Sequence, residues 1–403
     1  MIVEFSLRNY LSIKDEVKIS FLATSLKESL SEHNDSIPLS DTGFSLLRSA
    51  VIYGANASGK SNVLKALAFF KRFITESFIK SQAGEAIDVE PFRLNSSSVQ
   101  EPTMMEATFA EGGYIYRYGF EITDKAVSAE WLFQRACKKR AKEVEWFYRD
   151  NGETSVHQQG DLVRELVSKK MIRDNALILS TAAQFNDPKA VAILRWLGDT
   201  QVIFCSEDEM LWQQAIRHLD DERVRSRITA FARYADLGIE EINRVDNRIV
   251  SSHLQYDDDG REVNNVAFPF RGNESEGTIK YFSLSYPIID ALDNGKRVII
   301  DELDSKLHPL LVRKIVTLFN SPETNPKGAQ LLFTAHDTFL LGAGLFRRDQ
   351  VWFTQKDSFG ATEAYSLAEY KVRSTSPFER DYLQGRYGAT PIIGDLENIF
   401  TRR

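Results

Sequence analysis

The residues whose types and spacing point most directly to chemistry form one run, Gly54-Ala55-Asn56-Ala57-Ser58-Gly59-Lys60-Ser61. The run has the pattern G-x-x-x-x-G-K-S, which is typical of a loop that binds phosphate groups, a P-loop. The glycines near its two ends allow the backbone to curl, so that several N–H groups converge on a phosphate. The pattern predicts that the Lys60 ammonium reaches the β- and γ-phosphates of a nucleotide and that the Ser61 hydroxyl binds Mg²⁺.

The segments on either side of the P-loop predict the elements that must position it. Residues 49–53 form a short apolar run that indicates a buried parallel strand, and residues 62–70 are apolar at helical spacing. The helix is expected to run to about Lys80, with the positive end of its dipole beside the phosphates. Asn62, in its first turn, is therefore included among the candidate nucleotide-binding residues. A chance glycine turn before a helix is the alternative, but the motif and both flanks agree.

A second candidate group lies far downstream, where the apolar run Val298-Ile299-Ile300 ends in Asp301 and Glu302. This pattern predicts Asp301 in the Mg²⁺ sphere, directly or through water. It also predicts Glu302 as the general base for a water in line with the γ-phosphate. A buried strand with a solvated acidic end is the alternative, which the upstream P-loop makes less attractive. Because Ser61 and Asp301 are 240 positions apart, the two halves of the site must come from opposite ends of the chain.

The bulk composition predicts an ordinary globular protein with two or three lobes, since it has 403 residues, 43% of them hydrophobic and 27% charged. A net charge of −7 argues against a large basic surface that coats nucleic acid. Cys137 and Cys205 lie far apart without metal-ligand spacing, which indicates two incidental thiols in a cytoplasmic protein. No signal-peptide pattern and no membrane-length apolar run occurs, so no membrane association is expected.

The patterns along the chain predict an α/β fold in three parts. Residues 1–125 hold an opening β-hairpin, a loop over 23–48, the P-loop strand and helix, and the start of an antiparallel sheet. Residues 126–240 continue the hairpins and then become helical over 160–236. Residues 241–403 return to strands, then alternate helices and strands around Asp301. We expect a mixed parallel sheet, an antiparallel β-lobe and a helical insertion.

Two further segments complete a recognisable order of motifs. Ser275-Glu276-Gly277-Thr278 opens a predicted helix, and Thr334-Ala335-His336 ends a predicted strand. Together with the P-loop and with Asp301-Glu302 followed by Leu307-His308-Pro309, they resemble the ABC-type ATPase heads of the SMC-like and OLD-like superfamily. The opening Asn9-Tyr10-Leu11-Ser12-Ile13 is similar to that superfamily as well. The tail over 382–391 looks like RloA/AbiLi-type stand-alone ATPases of restriction and abortive-infection loci.

The resemblance implies a P-loop NTPase with an ABC-type head, two copies of which sandwich two ATP molecules and Mg²⁺ head to tail. It implies that Ser275, Glu276 and Gly277 form a signature segment that completes the site of the opposite copy. It also implies that His336 contacts the γ-phosphate and positions water, beside Lys60 and Glu302. The alternative for His336 is an ordinary histidine at a strand end. His308 is expected to shape the turn near the dimer seam.

Three positions depart from the resembled pattern. Relatives often have a basic phosphate contact where Leu11 stands, which leaves Arg8, Asn9 or Lys14 as candidate substitutes near the nucleotide. The segment Ser275-Glu276-Gly277 differs from the usual serine-glycine-glycine signature. For the glutamine of the Q-loop the candidate is Gln184, with a merely solvated glutamine as the alternative.

The leading hypothesis is an ATP-hydrolysing head that gates a separately encoded effector, such as a nuclease, in antiphage defence with a phage-derived trigger. One alternative is a nucleotide-dependent scaffold or sensor with little hydrolysis. Another is an OLD-type nuclease, although the carboxylates after His336 are few and dispersed. Direct DNA binding stays open through the basic run Lys138-Lys139-Arg140-Ala141-Lys142, for which a solvated hairpin end is the commoner explanation.

Overall fold

A computed structural model describes residues 1–26, 36–79, 82–235, 238–245, 248–373 and 376–391. Its strands are β1 (Ile2–Arg8), β2 (Val17–Ser20), β3 (Ser36–Pro38), β4 (Ser45–Leu47), β5 (Ser49–Gly54), β6 (Thr103–Glu111), β7 (Tyr114–Ile122), β8 (Val127–Ala136), β9 (Val144–Asp150), β10 (Glu153–Val156), β11 (Thr200–Ile203), β12 (Ile239–Val245), β13 (Arg248–Tyr256), β14 (Glu262–Pro269), β15 (Arg297–Ile300), β16 (Gln330–Thr334), β17 (Val351–Lys356) and β18 (Thr362–Ser366). Its helices are α1 (Lys60–Glu76), α2 (Asp161–Ser168), α3 (Ile178–Gln184), α4 (Pro188–Gly198), α5 (Asp208–Arg217), α6 (Glu222–Arg233), α7 (Phe270–Asn273), α8 (Glu276–Asn294), α9 (Pro309–Asn320), α10 (Phe339–Gly342) and α11 (Phe378–Leu383).

One six-stranded sheet carries both motif strands near its centre, in the order β11-β15-β16-β5-β17-β18. The first five strands are parallel to their neighbours, and β18 is antiparallel to β17. Strands β5 and β15 are buried at every position, which explains their uninterrupted apolar runs. Since parallel strands end at the same edge of a sheet, the residues that follow β5, β15 and β16 meet there.

A seven-stranded antiparallel sheet, in the order β10-β9-β8-β7-β6-β1-β2, forms the second layer. A separate three-stranded sheet joins β12, β13 and β14 around the predicted turn at 257–260. The predicted fold class, α/β with a mixed parallel sheet, an antiparallel lobe and a helical segment, is therefore confirmed. The three-part division of the sequence stays a prediction, and its first boundary, 125/126, lies in the turn that joins β7 to β8.

The segment 160–236 contains the predicted helices, here α2 to α6, but it also contains the strand β11, which the all-helical prediction missed. β11 is only four residues long and is extended because it pairs in parallel with β15, residue for residue. Helix α1 ends at Glu76, while Lys80 lies outside the described residues. The predicted loop over 23–48 includes the short paired strands β3 and β4, and its residues 27–35 also lie outside the description.

Helix α1, which begins at the P-loop, is held in place by aromatic packing between the two large sheets. Phe70 stacks on Phe120 of β7 with ring centroids 5.4 Å apart and meets Phe5 of β1 edge-on at 5.5 Å. All three rings are buried. Burial of a phenylalanine side chain contributes about 1.5–3 kcal/mol, so this cluster fixes the helix firmly against the antiparallel sheet. None of the described helices has both the length and the apolar character needed to cross a membrane.

A buried carboxylate ties the antiparallel sheet to the helical segment. Glu130 of β8 accepts hydrogen bonds from the Tyr118 hydroxyl at 2.8 Å and from the backbone N–H groups of Ile178 and Leu179 at 2.6 and 3.0 Å. Its side chain is completely buried, and this burial raises the pKa of Glu130. The hydrogen bonds favour the ionised form and partly offset that cost. The first turn of α3 therefore depends on Glu130 for two of its free N–H groups.

We predict that Glu130→Ala lowers the free energy of unfolding by about 2–4 kcal/mol, because it leaves buried N–H groups unpaired and opens a cavity. Chemical denaturation followed by circular dichroism measures the change. Glu153→Ala, which removes an exposed carboxylate from β10, is the matched control and is expected to stay within about 0.5 kcal/mol of the parent. Equal stability of the two variants would contradict this role for Glu130.

Candidate functional site

The P-loop connects β5 to α1, and the hairpin β17–β18 packs against it through hydrogen bonds. The Thr354 hydroxyl lies 2.7 Å from the Ser58 hydroxyl, and the Thr362 hydroxyl donates to the Ser58 carbonyl oxygen at 2.9 Å. Gly59 has φ +108°, and a Cβ there would overlap the Thr362 side chain. A Cβ at Gly54 would likewise overlap Thr354. Close approach of the hairpin thus requires glycine at both positions, and the positive φ of Gly59 is a second reason there.

Lys60, the first residue of α1, folds back over the P-loop. Its ammonium donates to the carbonyl oxygens of Gly54 at 2.8 Å and Ala55 at 3.1 Å. Burial lowers the pKa of Lys60, and the nearby carboxylates of Glu302, Asp301 and Asp304 oppose that shift. Among the described residues, the buried Lys60 ammonium donates hydrogen bonds to these two neutral carbonyl oxygens, which an anionic phosphate can replace.

The side chains predicted to bind metal lie in contact. The Ser61 hydroxyl donates to Asp301 Oδ1 at 3.1 Å, and the Thr334 hydroxyl donates to the same oxygen at 2.7 Å. Thr334 also accepts the Glu302 backbone N–H at 2.7 Å, which links the ends of β15 and β16. A hydroxyl and a carboxylate side by side at a P-loop are oxygen ligands of the kind that Mg²⁺ takes, with waters and phosphates completing its shell. These residues therefore fit the metal.

Glu302 and His336 face each other across the same edge of the sheet. His336 Nε2 lies 3.5 Å from Glu302 Oε1, and each side chain is 40% exposed. Glu302 has φ +51°, an uncommon backbone conformation for a residue other than glycine. Such local strain is found preferentially at functional sites. The arrangement could pass a proton from a water to the carboxylate with the imidazole alongside.

Asp304 fixes the loop that carries His336, and the sequence analysis did not single it out. Its Oδ2 accepts the backbone N–H groups of His336 and Asp337, both at 2.7 Å. The available signal was its position three residues after Asp301, on the loop that follows the motif strand. A carboxylate that accepts two backbone N–H groups holds their segment in one orientation.

Part of the P-loop, the start of α1, Glu302 and His336 line one cavity of about 730 Å³, large enough for a nucleotide's phosphate chain. Its walls are the P-loop and the start of α1 (Asn56, Ala57, Ser58, Gly59, Lys60, Ser61, Asn62), together with Glu302, His336 and Lys356. Lys356, at the end of β17, is a second residue that the sequence analysis missed, since no motif marks it.

The segment Ser275-Glu276-Gly277 lies at the start of a helix, as the sequence predicts, but it does not line this cavity. Ser275 caps α8, and its hydroxyl accepts the Thr278 N–H at 3.1 Å. Gly277 lies so close to the loop after Glu302 that a Cβ there would be 2.9 Å from the Lys306 carbonyl oxygen. The Lys306 ammonium pairs with Glu276 at 3.4 Å. Within one chain, then, the structure does not bring the signature segment to the P-loop.

Arg8 and Asn9, two of the candidate substitutes for a basic residue at position 11, do not line the cavity. Arg8 pairs with Glu121 at 3.0 Å, and buried Asn9 donates to the Ser98 and Glu101 carbonyl oxygens at 2.7 and 2.8 Å. Lys14 does not line the cavity. Ser12, from the same turn, contacts Asn62 in the first turn of α1.

Ser12 links the opening turn to both the P-loop helix and the hairpin. Its hydroxyl accepts the Asn62 amide N–H at 2.7 Å and lies 2.8 Å from the Thr362 hydroxyl.

Gln184 is exposed at the end of α3 and does not line the cavity. His308 caps α9 by accepting the Leu310 N–H at 3.2 Å, which agrees with a role in the turn. The described residues contain no group of three or more His, Cys, Asp or Glu placed to hold a metal.

The family to which the chain belongs follows from a profile match over residues 49–342. The matching family is described as "AAA domain, putative AbiEii toxin, Type IV TA system". The match spans well over half of the chain, so this protein belongs to that family, and the ATPase family predicted from the motifs is confirmed. No curated protein matches the sequence significantly.

Solved structures to which the chain is similar include cbiO1 from Clostridium perfringens, part of the ABC transporter complex cbiONQ, at 11% identity and a TM-score of 0.33. That alignment covers 92% of this chain and 90% of the other. The recombination mediator protein RecF of the RecFOR pathway, with ATP, aligns at 13% identity and a TM-score of 0.30, over 90% of this chain and 97% of the other. Similarities at this level say nothing about the site.

We predict that Gly59→Ala weakens Mg·ATP binding about 5- to 150-fold, because overpacking against Thr362 costs about 1–3 kcal/mol and displaces the P-loop. Isothermal titration calorimetry measures the affinity. Gly113→Ala is the matched control, since Gly113 also has positive φ but has open space around its Cα. If Gly59→Ala and Gly113→Ala bind Mg·ATP equally well, the close approach of Thr362 does not shape the site.

Proposed function

We propose that this protein is an ATP-hydrolysing, ABC-type head that closes head to tail with a second copy around ATP and thereby gates a partner. The observation that supports this most strongly is the convergence, at one edge of the six-stranded sheet, of the P-loop, the Ser61–Asp301 contact and the Glu302–His336 pair. Each of these has a distinct part in phosphoryl transfer to water.

The P-loop binds the phosphate chain through its backbone N–H groups and the N-terminus of α1. Lys60 exchanges its two carbonyl partners for phosphate oxygens, which gives a charge-assisted hydrogen bond in place of neutral ones. Ser61 and Asp301 would hold Mg²⁺, which would supply positive charge to the phosphate chain. Thr334 keeps Asp301 oriented for this role through its hydroxyl.

Glu302 accepts the proton of the attacking water, and His336 lies beside it to orient the water and contact the γ-phosphate. Asp304 acts on His336 indirectly, because it fixes the backbone from which the imidazole extends. General-base catalysis of this kind contributes about 10²- to 10⁴-fold to the rate. Removal of the Glu302 carboxylate should therefore stop turnover without emptying the site.

A second copy is proposed because the signature segment does not line the nucleotide cavity of its own chain, so it would contact a nucleotide only in another copy. Ser275 presents a hydroxyl and Gly277 a bare backbone at the N-terminus of the 19-residue helix α8, a combination that suits phosphate. Lys306, four residues after Glu302, pairs with Glu276 and so connects the catalytic loop to the signature segment. This connection would couple the two sites of a head-to-tail dimer.

The output of the cycle is proposed to be control of a separately encoded effector, such as a nuclease, in a bacterial antiphage system with a phage-derived trigger. Support comes from the family description, which names a toxin–antitoxin system, and from the sequence resemblance to abortive-infection ATPases. The helical segment from α2 to α6 and the sheet β12–β14 are the proposed recognition surfaces.

We predict that Glu302→Gln lowers the ATP turnover number by about 10²- to 10⁴-fold while Mg·ATP affinity stays within a few-fold of the parent. In Mg·ATP the variant is expected to accumulate as a dimer, because the closed state forms but is not reopened by hydrolysis. Phosphate release assays and analytical ultracentrifugation measure the two effects.

Glu323→Gln, at an exposed acidic position in the turn after α9, is the control and should behave like the parent. Equal, negligible turnover of the parent and Glu302→Gln, with partner binding retained, would favour the scaffold or sensor alternative over catalysis. The proposed dimer would be contradicted if the parent hydrolyses ATP while the Glu302→Gln variant stays monomeric in Mg·ATP.

A further inference from the structure

The hairpin β17–β18 does more than support the P-loop, because its end reaches the nucleotide cavity. Thr354 and Thr362 contact the P-loop at Ser58 from the two strands of the hairpin. Lys356 lies directly opposite Thr362 in the strand register. Since side chains two residues apart in a strand point to the same face, Lys356 shares the face of Thr354, towards the P-loop. Its side chain lines the same cavity as Lys60.

The charge of Lys356 is available to a ligand. The residue is exposed, and its side chain makes no hydrogen bond or ion pair with any residue that the structure describes. The two acids nearest along the hairpin have partners of their own. The Asp357 carboxylate accepts the N–H groups of Phe359 and Ala361, both at 2.8 Å, and Glu363 accepts the Gln355 amide at 3.2 Å.

The cavity needs positive charge beyond Lys60. Among its lining residues Lys60 and Lys356 are the two permanent cations, and Glu302 adds a negative charge. A triphosphate has several negative charges. A Mg²⁺ ion held at Ser61 and Asp301 would not balance them all, because the Asp301 carboxylate would neutralise part of its charge. The opening turn adds no cation through Arg8, which is paired with Glu121. Lys356, at the end of β17, is thus the lining residue that can supply a further positive contact to the phosphates.

We propose that Lys356 is a second phosphate-binding lysine of this site, acting on the phosphate chain of a nucleoside triphosphate from the β17 side. A lysine on a flexible stem is a compact point charge with three donors, which suits a chain whose phosphates shift between binding and hydrolysis. Lys356 lies outside the stretch 49–342 that defines the family match. The assignment rests on the proposed function, since it requires a nucleotide in this cavity.

The test compares Mg·ATP and AMP binding to the parent chain, Lys356→Met and Lys356→Arg by calorimetry at low ionic strength. Loss of a charge-assisted contact is expected to weaken Mg·ATP binding by Lys356→Met about 10- to 100-fold. AMP binding should change much less, and Lys356→Arg should restore most of the Mg·ATP affinity. Added salt should weaken Mg·ATP binding by the parent more than by Lys356→Met.

Lys65→Met is the matched control, because Lys65 is an exposed lysine on α1 that does not line the cavity. It is expected to bind Mg·ATP like the parent, and the melting temperatures of all variants without nucleotide should agree. Binding of Mg·ATP by Lys356→Met within twofold of the parent would overturn the inference alone. Equal weakening by Lys65→Met would also overturn it, since any nearby charge would then suffice. Failure of the parent chain to bind Mg·ATP would overturn the proposed function together with the inference.

Discussion

The contact between Ser61 and Asp301 is the constraint on which the rest of this structure depends. It joins residues 240 positions apart, and it exists only because β5, β16 and β15 lie side by side in parallel and end at one edge. Helix α1 must then be held at a fixed angle, which the stacking of Phe70 on Phe120 provides. The antiparallel sheet is therefore part of the site's construction, although none of its strands lines the cavity.

Much of this arrangement could be predicted from local patterns. The P-loop motif, the apolar strand before Asp301 and the helix after Ser275 are each encoded within a short window, and each lies where its pattern placed it. Burial on both faces made β5 and β15 uninterrupted apolar runs, which are easy to identify. Turn residues such as those at 257–260 located the hairpins.

What could not be predicted depends on contacts between distant segments. β11 is extended because β15 lies beside it, and four residues of mixed polarity contain no sign of that neighbour. Asn9 resembled a nucleotide-side residue, yet its amide is used to hold the chain at Ser98 and Glu101. Lys356 enters the cavity only because the β17–β18 hairpin packs on Ser58. Roles for Glu302, His336 and the signature segment remain proposals that the geometry supports.

In the proposed dimer, each ATP site combines the P-loop of one copy with the signature segment of another. The most direct measurement is ATP turnover by a mixture of two variants, Lys60→Ala, which lacks a working P-loop, and Ser275→Arg, which blocks the signature segment. Each variant alone should be inactive, whereas a mixed dimer has one intact site. Random pairing should therefore restore up to about one quarter of the parent turnover per subunit. A mixture as inactive as its components, or full activity of Ser275→Arg alone, would contradict the shared site.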